Sequence, residues 1–114
     1  MVSLEHFRKL ALSLPEATEE PHFEKSSFRV RKKIFATAET TSSLVVVKLS
    51  PLDQSVFCAQ EGGAIIPVKG AWGKKGWTHA DLSLIHPDLL EDLLITAYVT
   101  VAPKKLGALV RPPS

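Results

Sequence analysis

Two stretches of the chain repeat hydrophobic residues with the period of an α-helix. The first has Ser3 as a typical N-cap and Pro15 as its stop, and its apolar stripe consists of Leu4, Phe7, Leu10, Ala11 and Leu14. The second opens at Pro87 and closes at Pro103, and its stripe consists of Leu90, Leu93, Leu94, Ala97, Tyr98 and Val101. A shorter helix is predicted after Ser50-Pro51, with a modest stripe made of Leu52, Val56 and Ala59.

Between these helices the pattern changes to the alternation that is typical of β-strands. Residues 26–31 and 34–38 alternate around a break at Lys32-Lys33, which predicts a hairpin with unfavourable turn residues. Residues 44–49 form the strongest strand, and their continuous apolar run predicts a central strand with both faces covered. Residues 64–68 contain Pro67 and predict an edge strand, and residues 77–82 predict a last strand. The acidic stretch 15–24 is interpreted as a turn.

The resulting element order is α-β-β-β-α-β-β-α, in which strands come as hairpins and no βαβ repeat occurs. This order predicts an α+β fold with an antiparallel sheet, two hairpin wings and helices packed on one face. The 114 residues suffice for a single domain, 1–114, in which about 103–114 is expected to be a loosely held tail. We expect one core, formed by Phe28, Val30, Ile34, Val46, Leu49, Leu90, Leu94 and Tyr98.

Charge is segregated along the chain although the net charge is only +2. Residues 25–38 contain five basic residues and no acid, and residues 67–80 contain three lysines and no acid. The acids are concentrated in 16–24 and 81–92. Such segregation indicates either a local positive face or ordinary solvated surface.

No catalytic or metal-binding pattern stands out among the reactive residues. The four histidines are scattered without partners at ligand spacing, and the single Cys58 lies within a predicted helical stripe, where a buried, inert thiol is the expected state. We therefore expect a non-enzymatic protein without a cofactor or a metal. The first ten residues include charges and no long apolar run, so we expect neither a signal peptide nor a membrane partner, and a cytoplasmic location.

Both tryptophans lie in the stretch AWGKKGWTH, residues 71–79. Two glycines make a helix unlikely there. A hairpin turn centred on Lys74-Lys75 would place Trp72 opposite Trp77 on one sheet face, since directly opposed residues of antiparallel strands share a face. The pair would then be either a core anchor or a platform on which bases stack.

Several short motifs occur in the order found in the MmcQ/YjbR family of small bacterial proteins, which the chain resembles over nearly its whole length. They are Leu14-Pro15, Pro21-His22-Phe23-Glu24, Ser27-Phe28-Arg29-Val30, Lys33-Ile34-Phe35-Ala36, Val47-Lys48-Leu49-Ser50-Pro51, Lys74 with Trp77, Leu93-Leu94, Tyr98 and Ala102-Pro103-Lys104. The resemblance implies an α+β fold with two hairpin wings, a DNA-binding role and no active site. The basic residues at matched positions are Arg29, Lys33 and Lys74. The chain departs from the family at Lys32-Lys33, where a glycine is frequent, and at Gly73, where an asparagine is common in some members.

Two functions remain open from the sequence. The first is low-specificity binding of the DNA backbone by the wings, through Arg29, Arg31, Lys32, Lys33, Lys74 and Lys75. The alternative is an adaptor domain that binds a protein or a small ligand on its sheet face or tryptophan pocket. Basic wing tips on one face of the fold would favour nucleic acid, whereas tips pairing with Glu19, Glu20 or Glu24 would favour the adaptor.

Overall fold

The protein has an α+β fold in the computed structural model, which describes residues 2–22, 25–60 and 62–111. In chain order its elements are α1 (Leu4–Leu12), β1 (Thr18–His22), β2 (Lys25–Val30), β3 (Lys33–Ala38), β4 (Leu44–Lys48), α2 (Pro51–Cys58), β5 (Ile65–Pro67), α3 (Ala71–Lys74), β6 (Trp77–Asp81), α4 (Pro87–Val101) and α5 (Lys104–Val110). The predicted fold class is confirmed. None of the described helices has the length and apolar character that crossing a membrane requires.

The six strands form a single sheet in the order β1-β2-β3-β4-β6-β5. Every pair of neighbouring strands is antiparallel. Strand β4 is central and β5 is an edge strand, as the sequence predicts. Both expected hairpins, β2–β3 and β5–β6, are pairs of neighbours within this sheet.

Helices α1 and α4 cover one face of the sheet, as predicted, and the core lies between them and the strands. Phe7 of α1 meets Phe28 edge to face at 5.4 Å between ring centroids, and Tyr98 of α4 meets Phe35 in the same way at 5.6 Å. The Tyr98 hydroxyl donates a hydrogen bond to the carbonyl of Pro15 at 2.7 Å. Six of the eight expected core residues are buried: Phe28, Val30, Leu49, Leu90, Leu94 and Tyr98.

The core assignment of Ile34 and Val46 is wrong. Both are only half-buried, because the strand register points them to the sheet face opposite the helices. The expectation that both faces of β4 are covered is therefore also wrong, since Val45 and Val47 are buried but Val46 is not. A run of three valines carries no alternation that distinguishes the two faces.

The serine caps of α1 and α2 are confirmed. The Ser3 hydroxyl accepts a hydrogen bond from the amide of His6 at 3.0 Å, and the Ser50 hydroxyl accepts one from the amide of Asp53 at 3.1 Å. The predicted apolar stripe of α2 is wrong, because Leu52 is 75% exposed and Phe57 is the residue that the helix buries. In a helix of eight residues, a stripe of three apolar positions does not determine the buried face.

Strand β1 occupies part of the stretch that was interpreted as a turn. It is a polar edge strand, and its Glu19 accepts a hydrogen bond from the guanidinium of Arg8 at 2.9 Å, so no apolar alternation marks it. Phe23 and Glu24 of the Pro21–Glu24 motif lie outside the described residues, as does the side chain of His22.

Helix α5 occupies the segment that we expected to be a loosely held tail. It packs on α4 and buries Leu106 and Gly107. The expectation is wrong for residues 104–110, whereas residues 112–114 lie outside the described part of the chain.

Candidate functional site

The sheet face opposite α1 and α4 carries a continuous row of side chains across five strands. Successive cross-strand partners in this row are Ser27, Thr37, Val46, His79 and Ile66. Most of this face is open to solvent, since Ile66 is 49% exposed and Thr37, Val46 and His79 are half-buried, whereas Ser27 is buried. We call it the open face.

A trough of about 350 Å³ lies on the open face. It is lined by Lys25, Ile34, Thr37, Val46, Val68, Trp72, Trp77 and His79. Most of these side chains are apolar or aromatic. Ile34 and Val46, which the sequence placed in the core, form part of its floor.

The tryptophans contact each other, but not as the predicted cross-strand pair. Trp77 begins β6 and is opposite Lys48 of β4, whereas Trp72 belongs to α3. Their ring centroids are 6.4 Å apart with planes at 70°, and both rings line the trough. Trp72 is 61% exposed, so it is not a core anchor, and Trp77 is half-buried.

The expectation that no helix forms in this loop is wrong, because residues 71–74 make one helical turn. Gly73 and Gly76 are required here for close packing and not for helical propensity. A Cβ on Gly73 would lie 1.7 Å from the carbonyl oxygen of Val68, and a Cβ on Gly76 would lie 1.8 Å from that of Leu49. The glycines allow two backbone segments to pack against the loop.

The side chain of Gln54 in α2 forms hydrogen bonds with the same loop from the core side. Its amide nitrogen lies 2.9 Å from the carbonyl of Gly73 and 3.1 Å from that of Trp77. It also lies 3.1 Å from the hydroxyl of the buried Thr78. The backbone that carries both tryptophans is therefore held by side-chain hydrogen bonds as well as by close packing.

A lysine stands over each tryptophan. The Nζ of Lys48 is 5.3 Å from the ring centroid of Trp77, and the Nζ of Lys75 is 5.3 Å from that of Trp72. The Nζ of Lys48 also donates a hydrogen bond to the carbonyl of Lys75. These cation–π contacts place two positive charges beside the trough.

The antiparallel register brings two loops to one end of the sheet. Val30 pairs with Lys33 at the β2–β3 turn, Lys48 pairs with Trp77 at the end of β4, and the amide of Val68 donates to the carbonyl of Trp77 where β5 ends. The lysines of this end are Lys32, Lys33, Lys48, Lys69, Lys74 and Lys75. We call this set the lysine end. Within residues 2–22, 25–60 and 62–111, none of the six forms an ion pair with an acid.

The two arginines predicted with these lysines are held by acids. Arg29 lies 3.6 Å from a carboxylate oxygen of Glu20 and donates a hydrogen bond to the Ser27 hydroxyl at 2.9 Å. Arg31 donates two hydrogen bonds to Glu16, at 2.7 and 3.0 Å, and this contact lowers the pKa of the Glu16 carboxyl. Of the six predicted binding residues, the four lysines therefore have uncompensated charges in the described structure and the two arginines do not.

The β2–β3 turn has the geometry of a tight hairpin turn but not its usual residues. Arg31 and Lys32 occupy its centre with φ angles of 51° and 70°, both in the left-handed region. The predicted break at Lys32-Lys33 is therefore shifted by one residue, and Lys33 begins β3. The turn presents Lys32 and Lys33 to solvent.

Sequence reasoning missed Lys48 and His79 as candidate residues. The Nδ1 of His79 is buried and has no hydrogen-bond partner in the described structure, although the ring lines the trough. Lys48 and His79 each occupy an alternating position of a predicted strand, which indicates the face but not what lies on it. Cys58 is half-buried, and burial raises the pKa of its thiol, which keeps it protonated at neutral pH.

Comparison with known proteins places this arrangement in a family. The model of the YjbR family matches residues 12–100. The chain belongs to the YjbR family. The matched range includes the trough and all the residues of the lysine end, so these features lie within the YjbR domain.

A solved structure shares the fold of this YjbR domain. It is the crystal structure of a Deinococcus radiodurans protein with a DUF419 domain, which is 21% identical and superposes with a TM-score of 0.77. The similarity covers 99% of this chain and 91% of that chain. A comparison with curated proteins found no match.

Proposed function

We propose that this YjbR domain is a non-catalytic nucleic-acid-binding module whose lysine end contacts phosphates with little sequence preference. The observation that carries the proposal is the convergence of two separate lysine pairs, Lys32-Lys33 and Lys74-Lys75, at one end of the sheet. Neither pair is neutralised by an acid in the described residues. In the wing interpretation, these pairs are the tips of the two hairpins.

The direction of the charge gradient supports the same proposal. Glu39 and Asp81 lie at the opposite end of the sheet, where β3 and β6 end. Glu39 forms an ion pair there with Lys25 at 3.3 Å. A group of lysines without acid partners at one end of the sheet orients a polyanion, although the net charge is small.

Phosphate contacts of this kind supply affinity without reading sequence. Each neutralised phosphate releases counterions, so affinity falls with salt by a log–log slope of about −0.9 per contact on duplex DNA. If the four lysines of the two pairs each contact one phosphate, the slope is about −3.6.

The adaptor function is the second candidate, and the ion pairs of Arg29 with Glu20 and Arg31 with Glu16 favour it. These ion pairs neutralise two of the six positive charges that were predicted to contact the DNA backbone. An adaptor would use the apolar trough and would bind with little dependence on salt, because apolar burial is not screened.

The test is fluorescence anisotropy of labelled duplex and single strands at several salt concentrations, with two matched variants. Replacing Lys74 and Lys75 with alanine removes two charges from the lysine end. Replacing Lys104 and Lys105 removes two exposed lysines from α5, on the helix side of the sheet. The first variant should reduce the duplex slope by about 1.8, and the second should leave it unchanged.

Two outcomes would contradict the proposal. One is that neither duplex nor single strands bind at low salt. The other is an equal loss of binding in both double variants, since net charge rather than the lysine end would then be responsible. The first outcome would leave the adaptor as the better account.

A further inference from the structure

We infer that the trough on the open face accepts an unpaired nucleobase, so that the protein prefers single-stranded nucleic acid to duplex. This inference rests on the proposed function and names its substrate class. It assigns a role to the tryptophans, to His79 and to the apolar floor, which phosphate contacts alone do not use.

The tryptophans supply the stacking surface. Among the aromatic residues of the described ranges, Trp72 is the most exposed, at 61%. The Nζ of Lys75 lies 5.3 Å from the centroid of the Trp72 ring. The contact between Trp72 and Trp77 fixes the orientation of the Trp72 ring. An aromatic ring held in this way stacks with any base, because every base has a π-face.

The trough has the size and the polar groups that a base requires. Its volume of about 350 Å³ lies at the small end of ligand pockets, which span roughly 300–1,000 Å³. Its walls are mostly apolar, and the polar lining residues are Lys25, Thr37 and His79. Thr37 and His79 flank Val46 in the cross-strand row. The His79 ring forms part of this wall, whereas its Nδ1 is buried beneath the surface of the trough.

The position of the lysines connects the trough to a phosphate backbone. Lys48 and Lys75 stand over the two rings that line the trough, and the lysine end continues from them. A base in the trough therefore has cations beside it where its own phosphates would run. A base within a duplex is stacked and paired and must leave the helix to enter, at a cost of a few kcal/mol.

The test compares two labelled strands with the same number of phosphates, an oligothymidylate and an abasic strand of equal length, by anisotropy at low salt. The base-bearing strand should bind more tightly, by roughly 5- to 150-fold for each base that stacks. Trp72→Ala should reduce the affinity for oligothymidylate towards that of the abasic strand and leave abasic binding unchanged. Trp72→Phe, which keeps a ring, should retain most of the preference.

Leu109→Ala is the matched control for loss of an exposed apolar side chain. Leu109 is 69% exposed and lies on α5, away from the trough. The variant should bind both strands as the wild type does. The duplex of the same sequence should bind more weakly than the single strand.

A second readout is internal to the protein, because both tryptophans of the chain line the trough. Oligothymidylate should quench their fluorescence, and the abasic strand should quench it much less. Thymidine monophosphate, which carries the same base without a strand, should compete only at far higher concentration.

The failures of the two proposals are distinguishable. Equal binding of the two strands, with the salt slope intact, would overturn the base site and leave phosphate binding standing. Failure of both strands to bind at low salt would overturn the proposed function itself. Competition by the mononucleotide as effective as that by the strand would overturn the assignment to single-stranded nucleic acid.

Discussion

Gly76 and Leu49 pack backbone against backbone: the amide of Leu49 donates a hydrogen bond to the carbonyl of Gly76 at 3.0 Å, and a Cβ on Gly76 would lie 1.8 Å from the carbonyl oxygen of Leu49. Gly76 also has a φ of 107°, which L-residues rarely adopt. This contact joins the loop that carries the tryptophans to the end of β4, and thereby positions Trp77 beside Lys48.

Gly76→Ala should destabilise the fold by about 2–4 kcal/mol, because both the backbone angle and the close contact exclude a methyl group. Gly107→Ala is the matched control. Gly107 lies within helix α5, and a Cβ there would meet the side chain of Val99 in α4 at an ordinary 3.7 Å. That substitution should be neutral or stabilise by up to about 1 kcal/mol. Urea unfolding measures both variants, and equal effects would show that the Gly76 contact is not as close as described.

Lys32→Gly should stabilise the β2–β3 turn by up to about 1 kcal/mol, because Lys32 has a φ of 70° that glycine adopts without strain. Lys33→Gly makes the same change one residue later, at the start of β3, and should destabilise by about 0.5–1 kcal/mol. Thermal unfolding distinguishes the two signs. A Lys32→Gly variant less stable than the wild type would contradict the turn geometry.

The Glu16 carboxyl should titrate at a lower pH in the folded protein than in the unfolded chain, since its hydrogen bond with Arg31 lowers its pKa. Because the folded pKa is depressed, the stabilisation from this pair is present above the unfolded pKa. It is lost as the pH falls through the folded pKa.

Arg31→Ala should return the pKa of Glu16 towards its ordinary value, which carboxyl chemical shifts in an NMR titration would measure. Arg29→Ala is the control, because Arg29 pairs with Glu20 instead. If the pKa of Glu16 stayed low without Arg31, the cause of the shift assigned here would be wrong.

The parts of the fold that follow a regular hydrophobic period could be predicted from the sequence. Helices α1 and α4 each bury one face, and Phe28 and Val30 of β2 alternate with polar residues, so these patterns determine both the element and its orientation. The pattern of β3 predicts the strand but not its inward face, because Phe35 and Ala36 are both buried next to a register shift and Ile34 is not. Strand β1 could not be predicted, since its Glu19 is satisfied by Arg8 of another element. Helix α3 could not be predicted either, because Gly73 allows the carbonyl of Val68 to approach closely, and the sequence does not show that contact.

The candidate site shows the same division. The lysines and both tryptophans were identifiable as residues, because acid-free basic stretches and a paired Trp motif are local features. Their convergence at one sheet end depends on strand order, which brings Lys48 beside Trp77 over 29 positions of sequence. The pairing of Arg31 with Glu16 likewise depends on the turn reaching back to the start of β1. Tertiary neighbours of this kind leave no periodic signal.

The central claim is that nucleic acid binds at the lysine end and the adjoining trough, and the most direct test is to map the site by NMR. Isotope-labelled protein would be titrated with a single-stranded oligonucleotide at low salt and then at increasing salt. The account predicts that amide shifts concentrate in residues 31–34, at Lys48 and in residues 72–79, and that they diminish as salt is added. No shifts at low salt, or shifts confined to α5, would contradict it.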